Sequence, residues 1–298
     1  MSEANIISNV ILVVDDDPKM AGYYWEVLNE KADSHLVTHW VGKFDEFEKM
    51  FGQMVADGKR YPLCIVDLKD GQNPKRGLQT VQRIRESDRN IWIFIATHAD
   101  KALIGEVRNA LAAEGRLDGV RFFRLHDLDR EKFREAVNAF VERWRSARKV
   151  LGLAGGVPAQ EVGISSLLKS LCEKFHGQGA QIEFSNIAPG ISVRAHPDPL
   201  KSGLDNLLAH CIEEAAKSRP VEVICERSGA GATVTVDYEG SAQAPPTLSS
   251  LLDNDECAHA VELYVFDTYL RAAAGELRVL HGSGGRGSRF EVVIKSFS

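Results

Sequence analysis

Cysteine is scarce and scattered in this chain: five residues in 298, Cys64, Cys172, Cys211, Cys225 and Cys257, with no C-x-x-C pair among them. An odd, widely spaced set suggests neither a disulfide framework nor a zinc site, so the thiols are expected to be buried, reduced fillers. No apolar stretch approaches the ~20 residues of a membrane helix, and the opening MSEANIISNV lacks a charged leader and a long apolar core. These absences predict a cytoplasmic protein without a membrane partner. There is no long Lys/Arg run and no basic recognition helix, and the net charge is −6. Direct nucleic-acid binding and attachment to anionic membranes are therefore not expected as the main activity.

What is present is enough apolar material, 44% of the residues, for about two domains with their own cores. The first half alternates strand-like and helix-like runs. NVILVV, HLVTHWV, PLCIVD, IWIFIAT and VRFFRL read as strands, separated by helical spacings through YYWEVLNE, FDEFEKMFGQMV, GLQTVQRIRES and KALIGEVRNALAAEG. Near-continuous apolar strands between helices predict a doubly wound, five-stranded parallel sheet, with any ligand beyond the carboxyl ends of the strands.

ILVVDDDPKM, residues 11–20, places Asp15, Asp16 and Asp17 side by side where like charges repel. A solvated turn at a strand end accounts for this, and so does a hard divalent cation gathering carboxylates. The strand reading decides between them. Asp67 and Thr97 end the third and fourth strands, so carboxylates distant in sequence meet at one sheet edge.

VVDDDP, CIVDLKD and FIATHAD together resemble the receiver domain of response regulators, over roughly residues 8–145. The resemblance implies a Mg²⁺ site held by Asp16, Asp67 and the Lys69 carbonyl, with Asp15 acting through water. It also implies a phosphoacceptor, Asp67, and a hydroxyl, Thr97, that bonds a phosphoryl oxygen. The chain departs from the pattern in three places. Only Arg124 or His126 stands where a lysine ends the fifth strand, His98 follows Thr97 where a small residue is usual, and the loop from Asp67 to Gly77 is about two residues longer than usual in the family. The alternative is a pseudo-receiver that signals by binding alone.

Phe133, Val137, Phe140, Val141, Trp144 and Leu151 recur at helical spacing, predicting one connecting helix before the break GLAGGVPAQE. The expected division is 1–128, a connecting segment 129–160, and 161–298. The last part reads as helices interleaved with hairpins (QIEFS with ISVRA, VEVICER with TVTVDYE, ELRVL with FEVVIKSF), an α/β sandwich whose sheet is covered on one face. GLDNLLAHCIEEA, VTVDYEGS and AVELYVFDTYLRAAAGEL resemble the ATP-binding domain of sensor histidine kinases, a GHKL-type ATPase. The resemblance puts Asn206 and His210 beside the nucleotide-metal position and Asp237 at the adenine-reading position. His210 replaces an amide ligand, Glu239, Ser241 and Ala260–Glu262 replace phosphate-approaching glycines, and the lid segment is short, so ATP binding is not expected. GSGGRGS has the G-x-G-x-x-G spacing but lies between two strands, so a hairpin turn is expected there. Neither His126 nor His176 lies on a phosphoacceptor hairpin, which removes autokinase activity.

The expectation is a two-component signalling protein whose partners are a sensor histidine kinase or phosphotransfer protein, a downstream signalling protein, and a second copy in a homodimer. The alternative class is enzymatic: an ATPase, kinase, phosphatase or phosphotransfer factor.

Overall fold

The structure, a computed structural model, describes residues 10–30, 37–57, 61–69, 73, 75–88, 91–117, 119–150, 158–215, 219–240, 248, 259–281 and 287–297. The chain forms two compact units that divide between Arg145 and Ser146.

The first unit runs β1 (Val10–Val14), α1 (Pro18–Asn29), β2 (Val37–Val41), α2 (Phe44–Ala56), β3 (Leu63–Val66), α3 (Arg76–Ser87), β4 (Trp92–Thr97), α4 (Lys101–Ala113), β5 (Val120–Arg124) and α5 (Asp127–Val150), the last crossing the unit boundary. Its sheet has the order β2-β1-β3-β4-β5, and every neighbouring pair is parallel. All residues of β3 and β4 are buried, as a sheet covered on both faces requires. Phe47, Phe51 and Tyr61 stack on one another on one side, while Tyr24, Phe94, Phe123, Phe133 and Phe140 form an aromatic layer on the other. Burying one such ring contributes about 1.5–3 kcal/mol. Asp17 caps α1 by accepting from the Lys19 amide at 2.9 Å, with Pro18 in the first turn, so the helix begins just past the acidic run.

The second unit contains β6 (Gln160–Gly163), α6 (Ile164–Gly177), β7 (Ile182–Ile187), β8 (Ser192–Ala195), α7 (Pro197–Glu214), β9 (Val221–Ser228), β10 (Gly231–Tyr238), α8 (Ala260–Ala272), β11 (Glu276–His281) and β12 (Ser288–Ile294). Its main sheet has the order β11-β12-β10-β9-β7, antiparallel except for the parallel β7–β9 pair. The expected hairpin of QIEFS with ISVRA does not form. β8, with Val193 and Ala195 buried, pairs antiparallel with the short polar strand β6, which periodicity did not reveal, while β7 lies along β9. Backbone pairing here joins partners distant in sequence rather than neighbours along the chain. The other two expected hairpins, β9–β10 and β11–β12, are present. Gly203 lets α7 meet α8, because a Cβ there would lie 2.0 Å from the Phe266 ring.

Cys64, Cys172, Cys211 and Cys225 are free and buried. Cys257, Leu151, most of the short lid segment and residues 282–286 of GSGGRGS lie outside the described residues. Among the described residues, no helix is long and apolar enough to cross a membrane.

Candidate metal centre

In the first sheet the chain leaves β1 to one side and returns through β3 on the other, so a crevice opens between the carboxyl ends of β1 and β3. The backbone aligns that edge: the Asp67 amide donates to the Val14 carbonyl at 2.9 Å, and the Asp15 amide to the Val41 carbonyl at 3.2 Å. Asp15, Asp16 and Asp67 each bring a carboxylate oxygen to within 4.8 Å of the others.

Their environments differ. Asp15 is buried, and its Oδ2 accepts from the Tyr24 hydroxyl at 2.8 Å while Oδ1 accepts from the Asp17 amide at 2.9 Å. Burial, with the charges of Asp67 and Asp16 adding to it, pushes its carboxyl up to about 7 despite these two donors. Burial also raises Asp67, opposed by the Thr97 hydroxyl and the Leu68 and Lys69 amides. Asp67 Oδ1 is buried with no hydrogen-bond partner. Lys69 donates its amide to Asp67 Oδ2 at 3.3 Å. Gly77, at the start of α3, sits against this loop, and a Cβ there would lie 2.3 Å from the Asp67 carbonyl oxygen and 2.5 Å from Leu68 Cα.

Thr97 is buried, and its Oγ1 accepts from the Ala99 amide at 3.1 Å. It lies opposite Arg124 in the β4–β5 ladder, which puts both residues at the same sheet edge. The Arg124 Nε is buried without a hydrogen-bond partner. His126 meets His98 instead, with ring centroids 5.6 Å apart and edge to face. Burial, then the charges of Arg130 and His126, hold His98 below its ordinary value.

The residues fit a hard divalent cation. Clustered oxygen ligands, one buried oxygen left without a donor, and carboxyls that resist ionisation together describe a pocket short of positive charge. Sequence reasoning missed Tyr24. It stands beside Tyr23 in α1, and nothing in the spacing distinguishes the two.

In the second unit the residues assigned to a nucleotide pocket do not converge. Along β10, Ala232, Val234, Val236 and Tyr238 are buried toward the helices, and strand alternation turns Thr233, Thr235 and Asp237 to the other face. The Tyr238 and Phe290 rings meet the His210 ring on α7, with centroids 6.5 and 5.5 Å away. Asp237 instead binds Arg289 on β12. The Asp237 and His210 side chains therefore lie on opposite sides of the sheet. Burial, with His259 nearby, drives the His210 imidazole down to about 4. Asn206 keeps a buried Nδ2 without a partner, and Glu239 is paired with Arg219 at 2.7 Å.

No protein-family model and no curated protein matches the sequence. Solved structures similar to the chain include the ATP-binding domain of PrrB from Mycobacterium tuberculosis, 16% identical, covering 47% of this chain and 98% of that one at a TM-score of 0.39. The histidine kinase AdeS from Acinetobacter baumannii is 13% identical, covering 74% of this chain and 94% of its own, TM-score 0.40. The response regulator TrrA from Thermotoga maritima, in complex with Mg²⁺-BeF, is 21% identical, covering 44% and 97%, TM-score 0.33. Likenesses of this size carry no functional assignment.

Proposed function

We propose that the first unit is a Mg²⁺-dependent phosphoacceptor module of a two-component signalling protein. The observation that carries this reading is the meeting of Asp15, Asp16 and Asp67 at one strand edge, with Asp67 Oδ1 buried and unpartnered. Asp16, Asp67 and the Lys69 carbonyl would hold the ion, with Asp15 behind them. The bound ion supplies neutralisation of the negative charge gathered around a phosphoryl group. An Asp67 carboxylate oxygen forms the new bond to phosphorus while the bond from phosphorus to the donor breaks, and the donor leaves with that electron pair. Thr97 offers a hydroxyl to a phosphoryl oxygen, and Arg124 offers a guanidinium from the neighbouring strand. The donor is a sensor histidine kinase or phosphotransfer protein.

The second unit, in this reading, is a degenerate GHKL-type domain that docks a downstream signalling protein or a second copy without binding ATP. Its support is the occupation of Asp237 by Arg289 on the sheet face away from His210. Titration with acetyl phosphate or BeF₃⁻, with and without Mg²⁺, tests the first unit. A conformational response that requires Mg²⁺ and is lost in Asp67→Asn supports the reading, and a response indifferent to both sinks it. Calorimetry with ATP·Mg²⁺ separates the docking role from the enzymatic alternative.

A further inference from the structure

We infer that Tyr24 is a positioning residue of the cation site and acts through Asp15; this rests on the reading of the three carboxylates as a Mg²⁺ pocket. The Tyr24 side chain is 1% exposed, and a phenylalanine would fill the same space, so its hydroxyl is explained by a partner rather than by packing. The partner is Asp15 Oδ2 at 2.8 Å; a longer approach, 3.5 Å, reaches the Ala96 carbonyl beside Thr97.

The ring is fixed independently of that bond. Tyr23 lies 5.8 Å from it and Phe133 5.9 Å, the latter edge on. The hydroxyl therefore arrives at a place set by the aromatic layer, and the carboxylate conforms to it. With Oδ1 taken by the Asp17 amide at 2.9 Å, both Asp15 oxygens are oriented by protein donors, whereas Asp67 Oδ1 has none. Two donors thus make three like-charged groups inequivalent: Asp15 is held as a fixed support, and the open ligand position falls to Asp67. Removing a donor that orients a carboxylate at a metal site typically lowers metal affinity by about 10–100-fold.

The test is Mg²⁺ binding to the full chain, followed by calorimetry and by the Mg²⁺-induced thermal shift. Tyr24→Phe is expected to weaken Mg²⁺ binding about tenfold. On an Asp15→Ala background the same change is expected to do nothing further, because the acceptor it acts through is gone. Phe140→Leu is the packing control: its ring meets Trp92, Phe94 and Trp144 in the same aromatic layer, away from the Tyr23 and Phe133 rings that seat Tyr24, so it is expected to lower Tm and leave Mg²⁺ affinity unchanged. Wild-type protein that binds no Mg²⁺ overturns the pocket reading and this inference with it. Wild-type binding that is unchanged in Tyr24→Phe, or reduced equally with and without Asp15, overturns the role of Tyr24 alone.

Discussion

Arg289 holds Asp237 through two nitrogens on one carboxylate oxygen, Nε at 3.1 Å and Nη2 at 2.7 Å from Oδ2, across the β10–β12 ladder. The carboxylate is nearly buried and the guanidinium about one third exposed, at 7% and 34%. The pair thus serves the sheet and leaves little of Asp237 for a ligand. Arg289→Met takes the guanidinium away from a desolvated carboxylate and is expected to destabilise the protein by about 1–3 kcal/mol, read by urea melts. Wild-type protein is expected to show no thermal shift with millimolar ATP·Mg²⁺. Micromolar ATP binding that disappears in Asp237→Ala would reverse the docking reading of the second unit.

Asp16→Ala and Asp67→Ala each remove an oxygen ligand from a site with few to spare. Each is expected to weaken Mg²⁺ binding at least about tenfold. Asp67→Asn is expected to take up no phosphate from acetyl phosphate, and Arg124→Ala to blunt the response without moving the acceptor. Phosphate found on the Asp67→Asn protein by intact mass would place the acceptor elsewhere.

The pH dependence follows from Asp15, whose carboxyl rises from 3.8 to about 7 on folding, chiefly by burial. Between those values the folded protein holds a proton that the unfolded chain has released. The stability this group contributes is therefore full below 3.8 and lost as pH rises through about 7. Without Mg²⁺, stability is expected to fall across that window by at most about 1.4 kcal/mol per pH unit, and Asp15→Asn to flatten the slope. Mg²⁺ competes with the same proton, so its affinity is expected to rise with pH up to about 7 and then level. A flat affinity profile in the wild type would detach Asp15 from the site.

Gly77→Ala places a Cβ 2.3 Å from the Asp67 carbonyl oxygen, which is main chain and cannot swing aside. Overpacking of this kind is expected to cost about 1–3 kcal/mol and to weaken Mg²⁺ binding, because the displaced loop carries the acceptor. Gly22 is the contrast, since a Cβ there meets nothing within 4 Å. Gly22→Ala, inside α1, is expected to stabilise by about 0.5–1 kcal/mol with no change in Mg²⁺ affinity.

The first unit was largely legible before folding. Apolar runs such as VILVV and WIFIAT cannot rest anywhere but inside a covered sheet, and helical spacings between them leave a parallel order as the economical topology. From that alone, Asp15, Asp16, Asp67 and Thr97 had to share the carboxyl edge, because each ends a strand. The helix α5 was legible for the same reason: Phe133, Val137 and Phe140 recur on one face and are buried.

What periodicity does not encode is which partner a strand or a side chain takes. β8 pairs with β6, and β7 with β9, although their sequence neighbours suggested a hairpin. Asp237 is one residue out of phase with the buried Val234, Val236 and Tyr238, so the pleat sends it to Arg289 and away from His210. The Tyr24 hydroxyl reaches Asp15 because Phe133, more than a hundred residues along the chain, holds its ring in place. Residue type and spacing determined the sheet edge at which the acidic groups gather. Only the tertiary structure decided which oxygen of which aspartate is bonded, buried or left open, because that depends on donors brought in from other elements.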